Sequence, residues 1–181
     1  MDTFPVPLDR LYLVNPGDSA DIGARKITAL RPPLWDSPPT LGYYNDKSGA
    51  LFSADSFGAF ISAKCQDADD IPAAERAQAQ TTFASILCPW VHMLDEAKFA
   101  AHLKVVRDMD PELILGCHLP PARKNKADEF LKALTACPPT GPWFGPHQGP
   151  VGGDDGAWLT APGLAPATQR QPNGVRGKQT R

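Results

Sequence analysis

Histidine is scarce in this 181-residue chain: there are four, and none precedes His92. Cationic excess is also missing. Lys+Arg 18 against Asp+Glu 20 leaves a net charge of −2, which removes the electrostatic case for DNA, RNA or an anionic membrane surface as partner. No apolar run approaches the roughly 18 residues of a spanning helix, and Met1–Arg10 lacks a signal-peptide core. The four cysteines (Cys65, Cys88, Cys117 and Cys137) contain no Cys-x-x-Cys pair, which excludes a zinc knuckle or a disulfide framework. They read as reduced thiols, and a cytoplasmic location is expected.

What is present supports one domain with a core, since 42% of residues are apolar. Proline and glycine are unevenly spread. Residues 138–181 hold 8 Pro and 9 Gly, whereas residues 1–137 hold 12 Pro and 6 Gly. The expected organisation is therefore a domain over 1–149 and a Pro/Gly-rich tail over 150–181 without packed structure, ending in Arg170, Arg176, Lys178 and Arg181.

The first sixty residues read as short strands. Leu11–Val14 is β-favouring and ends at the turn cluster Asn15-Pro16-Gly17-Asp18. Arg25–Leu30 alternates, with Ile27 and Ala29 on one face. Four prolines in Arg31–Pro39 bar any central strand or helix. Thr40–Tyr44 and Ala50–Ala54 flank five turn residues, which suits a hairpin. After Ile61 the signals turn helical. Ala73–Leu87 lacks Gly and Pro, and Pro89 stops it. Asp95 can cap a second helix with Phe99, Leu103 and Val106 on one face, closed by Asp110-Pro111. Glu112–Gly116 suits a buried strand. A third helix, about Lys126–Ala136, follows Asn125, with Asp128 as its capping-box partner. Together these predict a layered α/β fold.

Two polar residues stand where strands end. Asp55 follows Ala50-Leu51-Phe52-Ser53-Ala54, and His118 follows Leu113-Ile114-Leu115-Gly116-Cys117. A carboxylate and an imidazole at strand ends suit a divalent metal. Each also has an ordinary reading, as a turn residue or as a locally satisfied histidine. The other candidates rank lower. His92 suits a capping or packing role, and His102 a solvent-facing helix edge. Ser53 and Ser56 have no nearby histidine to activate them. The cysteines read as inert buried thiols. No residue is assigned a catalytic role.

The segments Pro32-Pro33-Leu34-Trp35-Asp36-Ser37-Pro38-Pro39-Thr40-Leu41-Gly42-Tyr43 and Leu51-Phe52-Ser53-Ala54-Asp55-Ser56-Phe57-Gly58 resemble the second half of a metallo-β-lactamase-fold domain. So do Pro89–Phe99 and Asp110-Pro111-Glu112-Leu113-Ile114-Leu115-Gly116-Cys117-His118. The branch most similar is the flavodiiron and oxygen-binding di-iron group, and the resemblance runs from about Phe4 to Gln148. It implies an αββα sandwich with two metals at one sheet edge, Asp55 bridging them and His118 a terminal ligand. His147 falls where that family often has Gly-Pro-Asp-Gln, so it is not expected to be a ligand.

The family's first ligands come from a His-x-[His/Glu]-x-Asp-His motif, and nothing in this sequence matches it. Trp35 stands where a further histidine is expected. The resemblance therefore implies a C-terminal half of the sandwich, with two of the three or more ligands a metal needs. It implies little metal-dependent activity for this chain alone. The intact-relative activity would be di-iron oxygen, peroxide or nitric oxide chemistry. The alternatives are a two-zinc hydrolase, or a non-catalytic half-domain that pairs with another chain. Iron or zinc is the implied cofactor, and the implied partner is an N-terminal half, another chain or a second copy. Three structural expectations follow: an incompletely covered sheet, Asp55 and His118 within about 4–8 Å of each other, and Trp35 close by.

Overall fold

The computed structural model describes residues 7–62, 64–123 and 126–144. His147, Asn125 and the expected tail lie outside the described residues. Six strands form one sheet in sequential order: β1 (Ser19–Asp21), β2 (Lys26–Leu30), β3 (Gly42–Asn45), β4 (Ala50–Phe52), β5 (Leu113–Leu115) and β6 (Ala122–Arg123). All neighbours are antiparallel except β4 and β5, which run parallel. The helices are α1 (Ala73–Leu87), α2 (Glu96–Met109) and α3 (Ala127–Thr135). Among the described residues no helix is long and apolar enough to cross a membrane.

Local chemistry explains most boundaries. The expected hairpin is β3–β4, turned by Asn45–Gly49, where the Asn45 side-chain oxygen accepts from Lys47 N and Ser48 N. Gly49 closes it at φ 62, a conformation that glycine takes without Cβ strain. At the start of α2, Asp95 Oδ1 accepts from Lys98 N at 3.0 Å. The helix ends on Asp110 in the left-handed conformation (φ 43), with Pro111 next.

Three expectations are corrected. Leu11–Val14 is not a strand: Leu11, Tyr12 and Leu13 are exposed and irregular, because the ladder to β2 begins later, at Gly17 N to Ala29 O. Helix α3 starts from Lys126 without a side-chain cap. The sheet also gains β1 and β6, too short to carry a periodic signal.

Strand register divides the sheet into two faces. Thr28, Tyr44, Leu51, Ile114 and Ala122 lie in one row across five strands. Leu51, Ile114 and Ala122 join Phe99, Leu103, Val106, Phe130, Leu131 and Leu134 in one core cluster, so the helices cover this face. Each fully buried Leu or Phe there contributes about 1.5–3 kcal/mol. The adjacent row places Tyr43 beside Phe52 on the opposite face, where they are 38% and 44% exposed. The layer is helix on sheet with an apolar patch showing on the far side, as half a sandwich requires.

The helices are clamped by one buried cation. Arg76 on α1 is 3% exposed and donates through Nη1 to Ala68 O and Ile71 O. Its Nη2 meets Glu129 of α3, and its guanidinium lies 5.7 Å from the Phe130 ring centre. A cation on the buried face of a helix is not a position that apolar periodicity identifies.

Candidate metal edge at Asp55 and His118

Because β4 and β5 are parallel neighbours, their C-terminal ends open at the same sheet edge. Asp55 lies three residues beyond β4, and His118 three beyond β5. Ladder-like bonds continue past the strands: Ser53 N donates to Leu115 O at 2.9 Å, and Cys117 N to Ala54 O at 3.0 Å. His118 Nε2 stands 3.1 Å from Asp55 Oδ1, closer than the expected range. Sixty-three positions apart in sequence, the two residues are brought together by topology alone.

The turn carrying Asp55 is held from many sides. Ser53 Oγ donates to Ser56 O at 3.1 Å, and Ser56 Oγ donates to Leu34 O while accepting from Leu34 N, both at 2.9 Å. Both serines are buried and satisfied: Ser56 ties the turn to the Pro-rich segment, Ser53 ties it to itself, and neither has a base to activate it as a nucleophile. Gln80, 2% exposed, donates through Nε2 to Phe57 O at 3.1 Å. Gly58 has a packing reason: a Cβ there would lie 2.5 Å from the Phe83 ring. That ring packs against His118, centroids 5.1 Å apart, so a glycine lets the surface under the imidazole come close.

The other histidines are engaged elsewhere. His92 packs as expected, Nε2 3.1 Å from Ser85 Oγ and Nδ1 3.3 Å from Pro138 O. His102 departs from its expected solvent-facing position. It is part-buried, with Nε2 3.1 Å from Pro32 O and its ring edge-on to Trp35. The bulk of Trp35 lies over α2, its ring centre 5.0 Å from Trp90 and 5.8 Å from His102, with Arg31 above it. Trp35 connects to the Asp55 turn through its neighbour Leu34, which is bonded to Ser56.

The cysteines divide. Cys88 and Cys137 are fully buried, as expected; Cys117 is exposed and Cys65 partly so, which corrects the expectation for those two. Burial pushes the Cys88 thiol up to about 12, and the carboxylates of Asp36 and Asp55 add to the rise. Cys137 is raised by burial too.

No protein-family model matches the chain. An uncharacterized protein of Methanocaldococcus jannaschii, MJ0732, is 30% identical over 106 residues, 59% of this chain and 26% of that protein. The rubredoxin:oxygen oxidoreductase of Desulfovibrio gigas superposes with a TM-score of 0.55 at 22% identity, over 71% of this chain and 31% of that one. The flavodiiron protein of Giardia intestinalis superposes with a TM-score of 0.58 at 19% identity, over 70% of this chain and 30% of that one. The fold is the part of the metallo-β-lactamase fold that these flavodiiron structures share with it. The chain spans less than a third of the length of each of these three proteins.

A di-iron centre is what that fold family implies, and the donors can be tested against it. Two donors about 2.1 Å from one ion, at near right angles, lie about 3 Å apart, so the Asp55–His118 separation suits neighbouring ligands as well as an ion pair. No group of three or more His, Cys, Asp or Glu residues able to hold a metal exists among the described residues. The pair fits one edge of a coordination sphere. It does not fit a complete two-metal centre.

Proposed function

We propose that this chain provides one sheet layer and two metal donors, Asp55 and His118, of a di-iron-type centre whose other donors come from polypeptide outside the described residues, in the same protein or in another. The observation that carries this reading is the 3.1 Å approach of Asp55 and His118 at the ends of two parallel strands. Iron is the metal proposed, because the structural neighbours are named for a di-iron centre. The open patch at Tyr43 and Phe52 supports a companion reading, in which the chain works by pairing with a second apolar surface.

On this reading the purified chain binds iron weakly, since water must fill most of the coordination sphere. After anaerobic dialysis against ferrous iron, the expected content is well below one iron per chain and is unmoved by Asp55→Ala. Manganese(II), used as a paramagnetic probe, should broaden the His118 ring resonances before those of His92 or His102. Stoichiometric iron that is lost on Asp55→Ala would show that the chain completes its own centre. Broadening that begins elsewhere would remove Asp55 and His118 as donors.

A further inference from the structure

Beside His118 the surface sinks into an open depression of about 510 Å³, lined by Cys65, Cys117, His118, Phe60, Phe83 and Pro120 among others. Two thiols share it. They are the two accessible cysteines of the chain, whereas Cys88 and Cys137 are sealed in the core. The backbone brings their segments alongside one another: Ala59 N donates to His118 O at 3.1 Å, and Ala68 N to Pro121 O at 3.0 Å. Cys65 lies between these two ties and is itself outside any helix or strand. Cys117 is held one residue before the first tie by its own N–H to Ala54 O. Both thiols thus border one depression, Cys117 on tied backbone and Cys65 on irregular backbone, and a disulfide between them needs a Cα separation of about 4.4–6.8 Å.

We propose that Cys65 and Cys117 form a dithiol site that closes to an intramolecular disulfide at the mouth of the Asp55–His118 edge. The co-reactant is a small disulfide such as oxidised glutathione. The exposed Cys117 thiolate attacks one of its sulfurs, making a mixed disulfide and releasing one thiol. Cys65 then attacks Cys117 Sγ, forming the protein disulfide and releasing the second thiol. Two electrons pass to glutathione, and both thiol protons leave with its two reduced halves. This proposal does not depend on metal at Asp55 or His118.

The test exposes the full chain to oxidised glutathione, alkylates the remaining thiols without unfolding, and maps peptides under non-reducing conditions. In the wild type, accessible thiols should fall from two to none, with Cys65 and Cys117 linked within one chain. Cys88 and Cys137 should stay unmodified. Cys65→Ser, lacking the resolving thiol, should stop at a glutathione adduct on Cys117. Wild type that also stops at the adduct, links found only between chains, or oxidation at Cys88 and Cys137 instead would each overturn the proposal. Mapping the wild type keeps the test decisive even if the serine variant folds poorly.

Discussion

Arg76→Met should destabilise the domain by about 2–3 kcal/mol. Methionine keeps most of the stem that packs in the interior, so the change isolates the guanidinium. Removing one partner of a fully buried ion pair costs about 3–5 kcal/mol. Two features lower that figure here. Glu129 is 47% exposed, so its carboxylate returns to water when the cation goes. Ala68 O keeps a second donor, Ile71 N at 3.3 Å, and only Ile71 O loses its bond to Arg76 without such a replacement. A hydrogen bond to a charged group contributes about 1.5–3 kcal/mol net, so losing the two carbonyl contacts still outweighs the desolvation relieved. Guanidinium denaturation followed by circular dichroism gives the difference directly, and a fall in Tm of about 6–12 °C should accompany it. Glu129→Gln supplies the contrast. It removes a half-exposed charge and should cost less than about 1 kcal/mol. If the two variants destabilise equally, the clamp is a surface ion pair and the carbonyl contacts contribute nothing.

Ala54 lies at φ 51, where a Cβ is strained by about 1–3 kcal/mol, so Ala54→Gly should leave stability unchanged or raise it by about 0.5 kcal/mol, despite glycine's usual cost. Denaturant midpoints check this, and a loss above about 1 kcal/mol would refute it. The Cys88 thiol rises from its usual 9 to about 12 in the folded state, so the native form holds its proton more tightly than the unfolded chain. Its contribution is complete below pH 9 and is lost as pH climbs toward 12; in thermal melts over that window Cys88→Ala should flatten the decline, and an unchanged slope would count against it. Phe52→Asp, on the open sheet face, should cost less than about 1 kcal/mol and raise solubility; a loss of several kcal/mol would mean that face is covered.

Legibility followed how local the determinants are. Helix α1 is an uninterrupted run between Pro72 and Pro89, and α2 lies between an Asp95 cap and Asp110-Pro111, so both were readable from neighbouring residues. The hairpin β3–β4 was readable for the same reason. Strands β1 and β6 are three and two residues long and exist only because β2 and β5 offer them partners. Leu11–Val14 has strand composition but no partner among the described residues, and composition alone does not make a ladder. The Asp55–His118 pair was visible as two strand ends. Their meeting required the parallel pairing of β4 and β5 across sixty intervening residues, which the resemblance supplied and periodicity did not. The buried roles of Arg76, Ser56 and Gln80 were not legible, because nothing in a helix or turn sequence says that a polar side chain will be buried and satisfied.

The turn at Asp55 is costly in a way that packing only half explains. Ala54 at φ 51 and Phe57 at φ 66 are non-glycine residues in the left-handed region, at about 1–3 kcal/mol each. For Phe57 the cost is offset locally: the side chain is 2% exposed and packs 5.5 Å from the Phe130 ring, burial that contributes about 1.5–3 kcal/mol and that glycine would forfeit. Ala54 has no comparable core contact to trade. Its strained conformation aims its carbonyl at Cys117 N and delivers the next residue, Asp55, to His118. A turn selected for stability alone would carry glycine at that position. The network through Ser53, Ser56, Leu34 and Gln80 fixes the turn firmly enough to sustain the strain. Strain held this tightly sets the carboxylate of Asp55 beside the His118 imidazole at the sheet edge, a placement that an unstrained turn would not give.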